Sequence, residues 1–191
     1  ILLLLLILLS ITLFAQSKKD EKNMRQIIGA LNRGDYNLVT SKLNQCDNWN
    51  FRPKKYNDFI DVENGLEFVD YIANSQQSKT NQLDSFLAYI AKECQTFVNY
   101  YYDNEDYIYA IPYAGLRLNI DGVRLGEDHP DYITSLKNIG LLYLEIENYS
   151  QAEKYYLSAY ELCKSLWGMN HVEYASSLHY LGIVYANIGD Y

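Results

Sequence analysis

The chain has 191 residues, of which 49% are hydrophobic, and 24 acidic against 16 basic residues give a formal net charge of −8. This composition supplies enough apolar side chains for a folded core and excludes a chain that is disordered throughout. The acidic balance argues against nucleic acid as a partner, because phosphate-binding surfaces are normally basic and the only local basic run is Arg52-Pro53-Lys54-Lys55. Tyrosine is unusually abundant, with 20 Tyr beside 6 Phe and 2 Trp, and its ring and hydroxyl suit surfaces that are half buried.

The first sixteen residues have the pattern of an export signal. Thirteen of the fifteen residues in Ile1–Ala15 are apolar, and a charged run begins at Lys18. A helix of that length spans about 22 Å, less than the roughly 30 Å of a bilayer core, so a cleaved signal is favoured over a membrane anchor. We therefore expect residues 1–16 to be a signal peptide, cleaved after Ala15, and the mature protein to be exported, either periplasmic or secreted, with no stable membrane span.

The next region, 17–82, is predicted to be helical and irregular. Gly34-Asp35-Tyr36 separates two apolar patterns of helical spacing, which predicts a helix pair over about 21–46. A loop follows over 45–56, then a helix over Phe59–Ile72 and a polar linker over 75–82.

Three cysteines, Cys46, Cys94 and Cys163, show neither metal-type nor redox-type spacing, and their odd number leaves at least one unpaired within the chain. Cys94 and Cys163 lie in apolar helical patterns and are expected to be small buried residues. Cys46 lies near a predicted helix end and is the one expected to be exposed.

The second half of the chain contains an internal repeat with a period of 42 residues. The segment that begins at Gly126 returns at Gly168, and nine of the twenty-four positions over 126–149 are identical after this shift. Such self-similarity is typical of an array in which each unit stacks on its neighbours.

Each unit is predicted to be two helices. Pro130 suits the first turn of the first helix, and a break over 147–150 leads to a second helix with Ser150 as its N-cap. The small residues among the apolar positions predict close approach of the two helices. These positions are Leu136, Ile139, Gly140, Tyr143, Ala152, Tyr156 and Ala159.

These seven residues resemble the hallmark positions of the tetratricopeptide repeat, with Lys164 in place of the final proline. The lead-in Gly-x-x-His-Pro-x-Tyr at Gly126 is similar to the 42-residue, kinesin light chain-like variety, and the leader suggests a bacterial exported type. The resemblance implies an all-α fold, an α-solenoid of stacked antiparallel helix pairs (a TPR-like superhelix), degenerate toward the N-terminus.

The array is expected to occupy residues 83–191. A degenerate unit over about 84–125 has Arg117 where Ala159 would repeat, and Pro112 is expected to interrupt its second helix. A full unit over 126–167 and a truncated unit over 168–191 follow.

We predict no catalytic, cofactor or metal site, because no known phosphate, nucleophile or metal motif occurs. His129 and His171 recur at the repeat period and are expected to be structural turn residues. Acidic pairs such as Glu105-Asp106 and Glu127-Asp128 are expected to cap turns and helix N-termini and to form a solvated acidic rim.

Function is therefore expected from the surface. In similar arrays the first helix of each unit lines a concave groove, and its positions off the packing stripe offer polar and apolar contacts for an extended peptide. The predicted partner-binding residues are Lys137, Asn138, Leu141, His179, Tyr180 and Ile183. Further groove positions are Thr134, Glu145, Ser176 and Asn187.

The leading hypothesis is a non-enzymatic module that binds a protein or peptide, or a downstream domain of its own chain, with no nucleic acid partner and no cofactor. An alternative is the sensory or regulatory half of a longer enzyme or signalling protein, such as a caspase-like peptidase or a sensor kinase. A third is a scaffold that self-associates.

Overall fold

The computed structural model describes residues 18–19, 22–43, 61–74 and 80–189, and every regular element in these ranges is an α-helix. The predicted signal peptide and its cleavage site, the loop with the Arg52–Lys55 run, and Cys46 lie outside the described residues. Within the described ranges, no helix combines the length and the hydrophobicity that a membrane crossing needs.

Contacts divide the described residues into two compact units, with the boundary between Tyr89 and Ile90. The first unit contains α1 (22–31), α2 (Tyr36–Leu43), α3 (Val62–Asn74) and the beginning of α4 (Asn81–Asp103). The predicted helix pair on either side of Gly34 is confirmed, and Gly34 has the positive φ of 69° that glycine adopts readily.

Apolar faces hold the first unit together. The rings of Phe68 in α3 and Phe86 in α4 meet edge to face with their centroids 6.0 Å apart, a favoured arrangement for aromatic pairs. The hydroxyl of Tyr36 donates a 2.7 Å hydrogen bond to Glu67 and so joins α2 to α3.

The predicted linker over 75–82 was too long. Asn81 and Gln82 belong to α4 because the Thr80 hydroxyl accepts a 3.2 Å hydrogen bond from the backbone N–H of Leu83 and caps the helix at that point.

The second unit is a stack of helices. The rest of α4 pairs with α5 (Tyr107–Leu125), α6 (Pro130–Glu145) pairs with α7 (Tyr149–Trp167), and α8 (Val172–Ile188) packs on α7. The predicted all-α fold, a TPR-like solenoid of stacked antiparallel helix pairs, is confirmed.

Histidine side chains begin two of these helices. His129 precedes α6, and its Nδ1 accepts a 3.1 Å hydrogen bond from the N–H of Asp131. His171 does the same for Glu173 at 3.2 Å, 42 residues later. Both histidines are thus N-caps, and Pro130 occupies the first turn as expected.

The predicted N-cap Ser150 was wrong. Helix α7 begins at Tyr149, and the Asn148 side chain accepts a 3.3 Å hydrogen bond from the N–H of Gln151. Asn is among the strongest capping residues, so the helix begins two residues before the position that Ser150 would require. Asp106 likewise stands at the N-cap of α5 but makes no side-chain capping bond, contrary to the predicted role of its acidic pair.

Close packing of α6 on α7 depends on the small residues of the repeat. Ala152, Tyr156 and Ala159 have no exposed surface. A Cβ atom added to Gly140 would lie 3.0 Å from the Tyr156 ring, so only glycine leaves room for this ring. In the preceding pair the sizes are exchanged, with Val98 in the place of Gly140.

Pro112 does not interrupt α5, which was the wrong expectation. The helix runs through it because the missing N–H affects a single hydrogen bond, to Ile108 in the first turn, where the side chain is 67% exposed. The cysteine predictions are confirmed where the structure tests them, since Cys94 and Cys163 are buried free thiols.

Candidate functional site

The first helices of the three repeats, α4, α6 and α8, lie side by side. The Lys137 ammonium in α6 pairs with the Glu173 carboxylate near the start of α8, and the Tyr102 hydroxyl near the end of α4 donates a 3.4 Å hydrogen bond to Glu145 at the end of α6. These contacts align the three helices in parallel. We call the surface that they form the A-helix face.

Lys137 has a structural task on this face. Its side chain is only 15% exposed and is bonded to Glu173. It therefore joins neighbouring repeats, and its predicted contact with a partner stays a prediction.

The other predicted groove residues differ in exposure. His179 is exposed, whereas Asn138, Leu141 and Ile183 are half-buried. An amide, an imidazole and two aliphatic side chains thus lie on α6 and α8, and the structure leaves the choice among them as partner contacts untested.

Tyr180 is half-buried and lies against the core. Its ring stacks on that of Tyr156 with the centroids 4.9 Å apart and the planes 1° from parallel. The edge of the His179 ring meets it at 5.7 Å. The ring that departs from the repeat pattern therefore covers the most deeply buried tyrosine of the unit.

Tyrosines and one carboxylate meet at the end of α6. Burial, then the charge of Glu145, raises the pKa of Tyr102. Burial, followed by Tyr180 and Glu145, raises the pKa of Tyr156. These tyrosines consequently stay neutral at physiological pH and offer hydroxyl groups beside a charged carboxylate.

The Tyr156 hydroxyl is fully buried and has no hydrogen-bond partner among the described residues. Sequence analysis missed it because tyrosine at this position reads as a packing residue of the repeat. A phenylalanine would fill the same space, so the hydroxyl itself was the available signal.

A buried polar network lies between α5 and α6, and it too was missed. Asp121 is 2% exposed, accepts a 2.6 Å hydrogen bond from the Ser135 hydroxyl and pairs with Arg117 at 3.3 Å. The next interface has Cys163 and Ser177 at the corresponding positions, 3.7 Å apart. The appearance of Arg and Asp together, where Ala and Cys repeat, was the signal.

The first unit contains a basic cavity of about 800 Å³. Sequence analysis considered only consecutive basic residues and missed this set, which the helical spacing of α1 brings to one side. The described lining residues are Lys18, Lys22, Arg25, Gln26, Gly29, Arg33, Leu38 and Lys42.

The described part of the chain contains no group of three side chains placed to bind a metal ion. Among the three histidines, His129 and His171 use their Nδ1 atoms as helix caps.

Comparison with known families supports the repeat assignment. Residues 98–165 match the tetratricopeptide repeat family, a segment that runs from α4 through most of α7. Such repeats are non-catalytic scaffolds that generally mediate protein–protein interaction. No curated protein matches the chain significantly.

Proposed function

We propose that this chain is a protein–protein interaction module whose A-helix face binds an extended segment of a partner protein. The observation that carries the proposal is the tetratricopeptide match over 98–165, combined with a continuous face built from α4, α6 and α8. The repeat is proposed to be of the 42-residue, kinesin light chain-like variety.

The composition of the A-helix face suits a peptide. Asn138 and His179 supply groups that hydrogen-bond to a peptide backbone, while Leu141 and Ile183 supply small apolar contacts between them. Lys137 acts as a positioning residue, because its ion pair with Glu173 fixes the distance between α6 and α8.

Site-specific cross-linking tests this proposal. A photoreactive amino acid is placed at Leu141 or Ile183 on the A-helix face, and as a matched control at Leu157, a 37% exposed position on α7. We expect cross-links to a defined partner segment from the first two positions only. Equal yields from Leu157, or no cross-link from Leu141 and Ile183 in the native host, would contradict the proposal.

A second variant tests the individual residues. Lys137→Glu combined with Tyr180→Ala alters the ion pair and the stacked ring of the face, so we expect loss of affinity for the cross-linked partner. An unchanged affinity would show that the partner binds elsewhere.

We also propose that the protein is exported, on the strength of the apolar leader Ile1–Ala15. Mass spectrometry of the protein from its host should then find a mature chain that begins at Gln16. Replacing Leu5 and Leu8 with arginine should retain the unprocessed chain inside the cell, and processing unaffected by these changes would refute the export signal.

A further inference from the structure

The first helices of the repeats end without the charges that normally stabilise a helix end. The C-terminus of a helix carries partial negative charge and favours Lys or Arg in its last turn. The second helices follow this rule with Arg124 in α5 and Lys164 in α7. The last turns of α4, α6 and α8 contain no basic residue, and α4 and α6 end on the acidic residues Asp103 and Glu145.

The turns that follow add further negative charge. No Lys or Arg occurs over 98–116 or over 138–153. We call this surface, at the ends of α4 and α6 and their following turns, the acidic edge. It consists of Asp103, Glu105, Asp106, Glu145 and Glu147.

Two of these acidic residues occupy strained backbone positions. Glu105 and Glu147 have φ angles of 60° and 57°, and Gly189 at the same repeat position has 83°. A left-handed conformation costs a residue with a Cβ atom roughly 1–2 kcal/mol, and glycine avoids this cost. Glutamate is therefore present at both turns against the preference of the backbone.

The Tyr156 hydroxyl gives the acidic edge a second, independent feature. It is buried without a partner among the described residues, a condition that costs about 1–3 kcal/mol. The charges of Glu145 and Tyr102 act on it, and the Tyr180 ring lies over its own ring at 4.9 Å. A hydrogen-bond donor that entered beside Glu145 would satisfy it.

Glu145 is available for such a donor. It is exposed, and its hydrogen bond from the Tyr102 hydroxyl is 3.4 Å long, near the limit at which such bonds hold. The ion pairs found among the described residues do not include it. A cation would displace only a weak contact.

We propose that the acidic edge binds an arginine-containing segment of a protein, with the guanidinium held between the Glu145 carboxylate, the Tyr156 hydroxyl and the Tyr180 ring. This inference rests on the proposed function, because it names the chemistry of the segment that the A-helix face receives. Arginine fits better than lysine because its planar group stacks on an aromatic ring and presents several N–H donors at once.

Peptide binding to the full chain tests the inference. Fluorescence anisotropy would follow fluorescein-labelled hexa-arginine, with hexa-lysine and hexa-glutamate as comparison peptides. Glu145→Gln should weaken hexa-arginine binding roughly tenfold, the effect of one charge-assisted hydrogen bond. Glu161→Gln, an equal charge change at an exposed position of α7, should change it less than about twofold, as for a remote surface charge.

Tyr156→Phe separates a binding role from a structural one. Removing an orphan hydroxyl should leave the free energy of unfolding unchanged or raise it, while hexa-arginine affinity should fall several-fold. Equal effects of Glu145→Gln and Glu161→Gln, full affinity in Tyr156→Phe, or hexa-lysine binding as tight as hexa-arginine would each overturn the inference.

The result is independent of the cross-linking experiment. Cross-links from Leu141 and Ile183 without selective hexa-arginine binding would reject the arginine site alone. Selective binding without those cross-links would reject the proposed peptide path along the A-helix face.

Discussion

The Arg117–Asp121 pair shows how one repeat tolerates a side chain that the next repeat excludes. Arg117 stands where Ala159 repeats, and it fits because Asp121 stands where Cys163 repeats. The Asp121 carboxylate also accepts the hydroxyl of Ser135 from α6. A charge that would be costly in a packed interface is thus neutralised and hydrogen-bonded.

We predict that Asp121→Ala lowers the free energy of unfolding by about 1–3 kcal/mol, because Arg117 and Ser135 lose their buried acceptor. Arg117 is 23% exposed, so water offsets part of the loss. The double variant Arg117→Ala with Asp121→Cys copies the neighbouring interface and should recover most of it. Urea denaturation of the single and double variants measures the coupling, and additive effects would contradict it.

This pair was within reach of sequence analysis, but only in part. The shift of 42 residues identified Arg117 as a departure from the repeat, and the same shift aligns Asp121 with Cys163. That the two side chains bond to each other depends on rotamers, and these are determined by packing between α5 and α6 rather than by the repeat pattern.

At the scale of elements, the fit between helices depends on complementary sizes. Gly140 in α6 accommodates the Tyr156 ring from α7, whereas Gly182 occupies the same repeat position in α8 and has no atom within 4 Å of an added Cβ. Leu178 in α8 is 45% exposed, although the equivalent Leu136 is 4% exposed. The same residues are therefore packed in one repeat and open in the next.

Alanine substitutions at the two glycines should have opposite effects. Gly182→Ala should raise the free energy of unfolding by up to about 1 kcal/mol, since alanine is the better helix former and the site is open. Gly140→Ala should lower it by about 1–3 kcal/mol, because the new methyl meets a Tyr156 ring that Tyr180 holds on its other side.

Thermal or urea unfolding of the two variants provides the comparison, and each serves as the control for the other. A stabilised Gly140→Ala would mean that the Tyr156 ring shifts freely, contrary to its stacked position.

Helix existence was predictable from sequence, whereas helix ends depended on caps. Apolar spacing predicted α6 and α7 correctly, but the choice of Asn148 over Ser150 as the N-cap rests on the turn geometry between these helices. Similarly, Thr80 begins α4 inside what composition alone suggested was a linker. The positions of Lys137 and Tyr180 required the structure, because both side chains bridge neighbouring repeats.

At the scale of the whole molecule, burial keeps weakly acidic side chains protonated. Burial is the largest cause that raises the pKa of Cys94, to about 12, and of Tyr36, also to about 12. The pKa of Cys163 is raised as well, chiefly by burial. An unfolded cysteine ionises at about 8.5 and an unfolded tyrosine at about 10, so thiols respond first as pH rises.

We predict that the chain loses stability in mild alkali. Above about pH 8.5 the unfolded chain releases thiol protons that the folded chain retains, so the unfolded state binds fewer protons and the free energy of unfolding falls with pH. The stabilisation from Cys94 is fully present below pH 8.5 and is lost progressively toward its folded pKa of about 12. Each thiol contributes a slope of at most about 1.4 kcal/mol per pH unit.

Urea denaturation at pH 7.5, 8.5 and 9.5 under reducing conditions isolates the thiols, because tyrosines titrate higher. Cys94→Ala should lower stability at every pH by a constant amount for the lost packing and should flatten the slope, and adding Cys163→Ala should flatten it further. The slope, unlike the constant offset, reports ionisation. If wild type and the double variant lost stability in parallel between pH 8.5 and 9.5, burial of the two thiols could not be the cause.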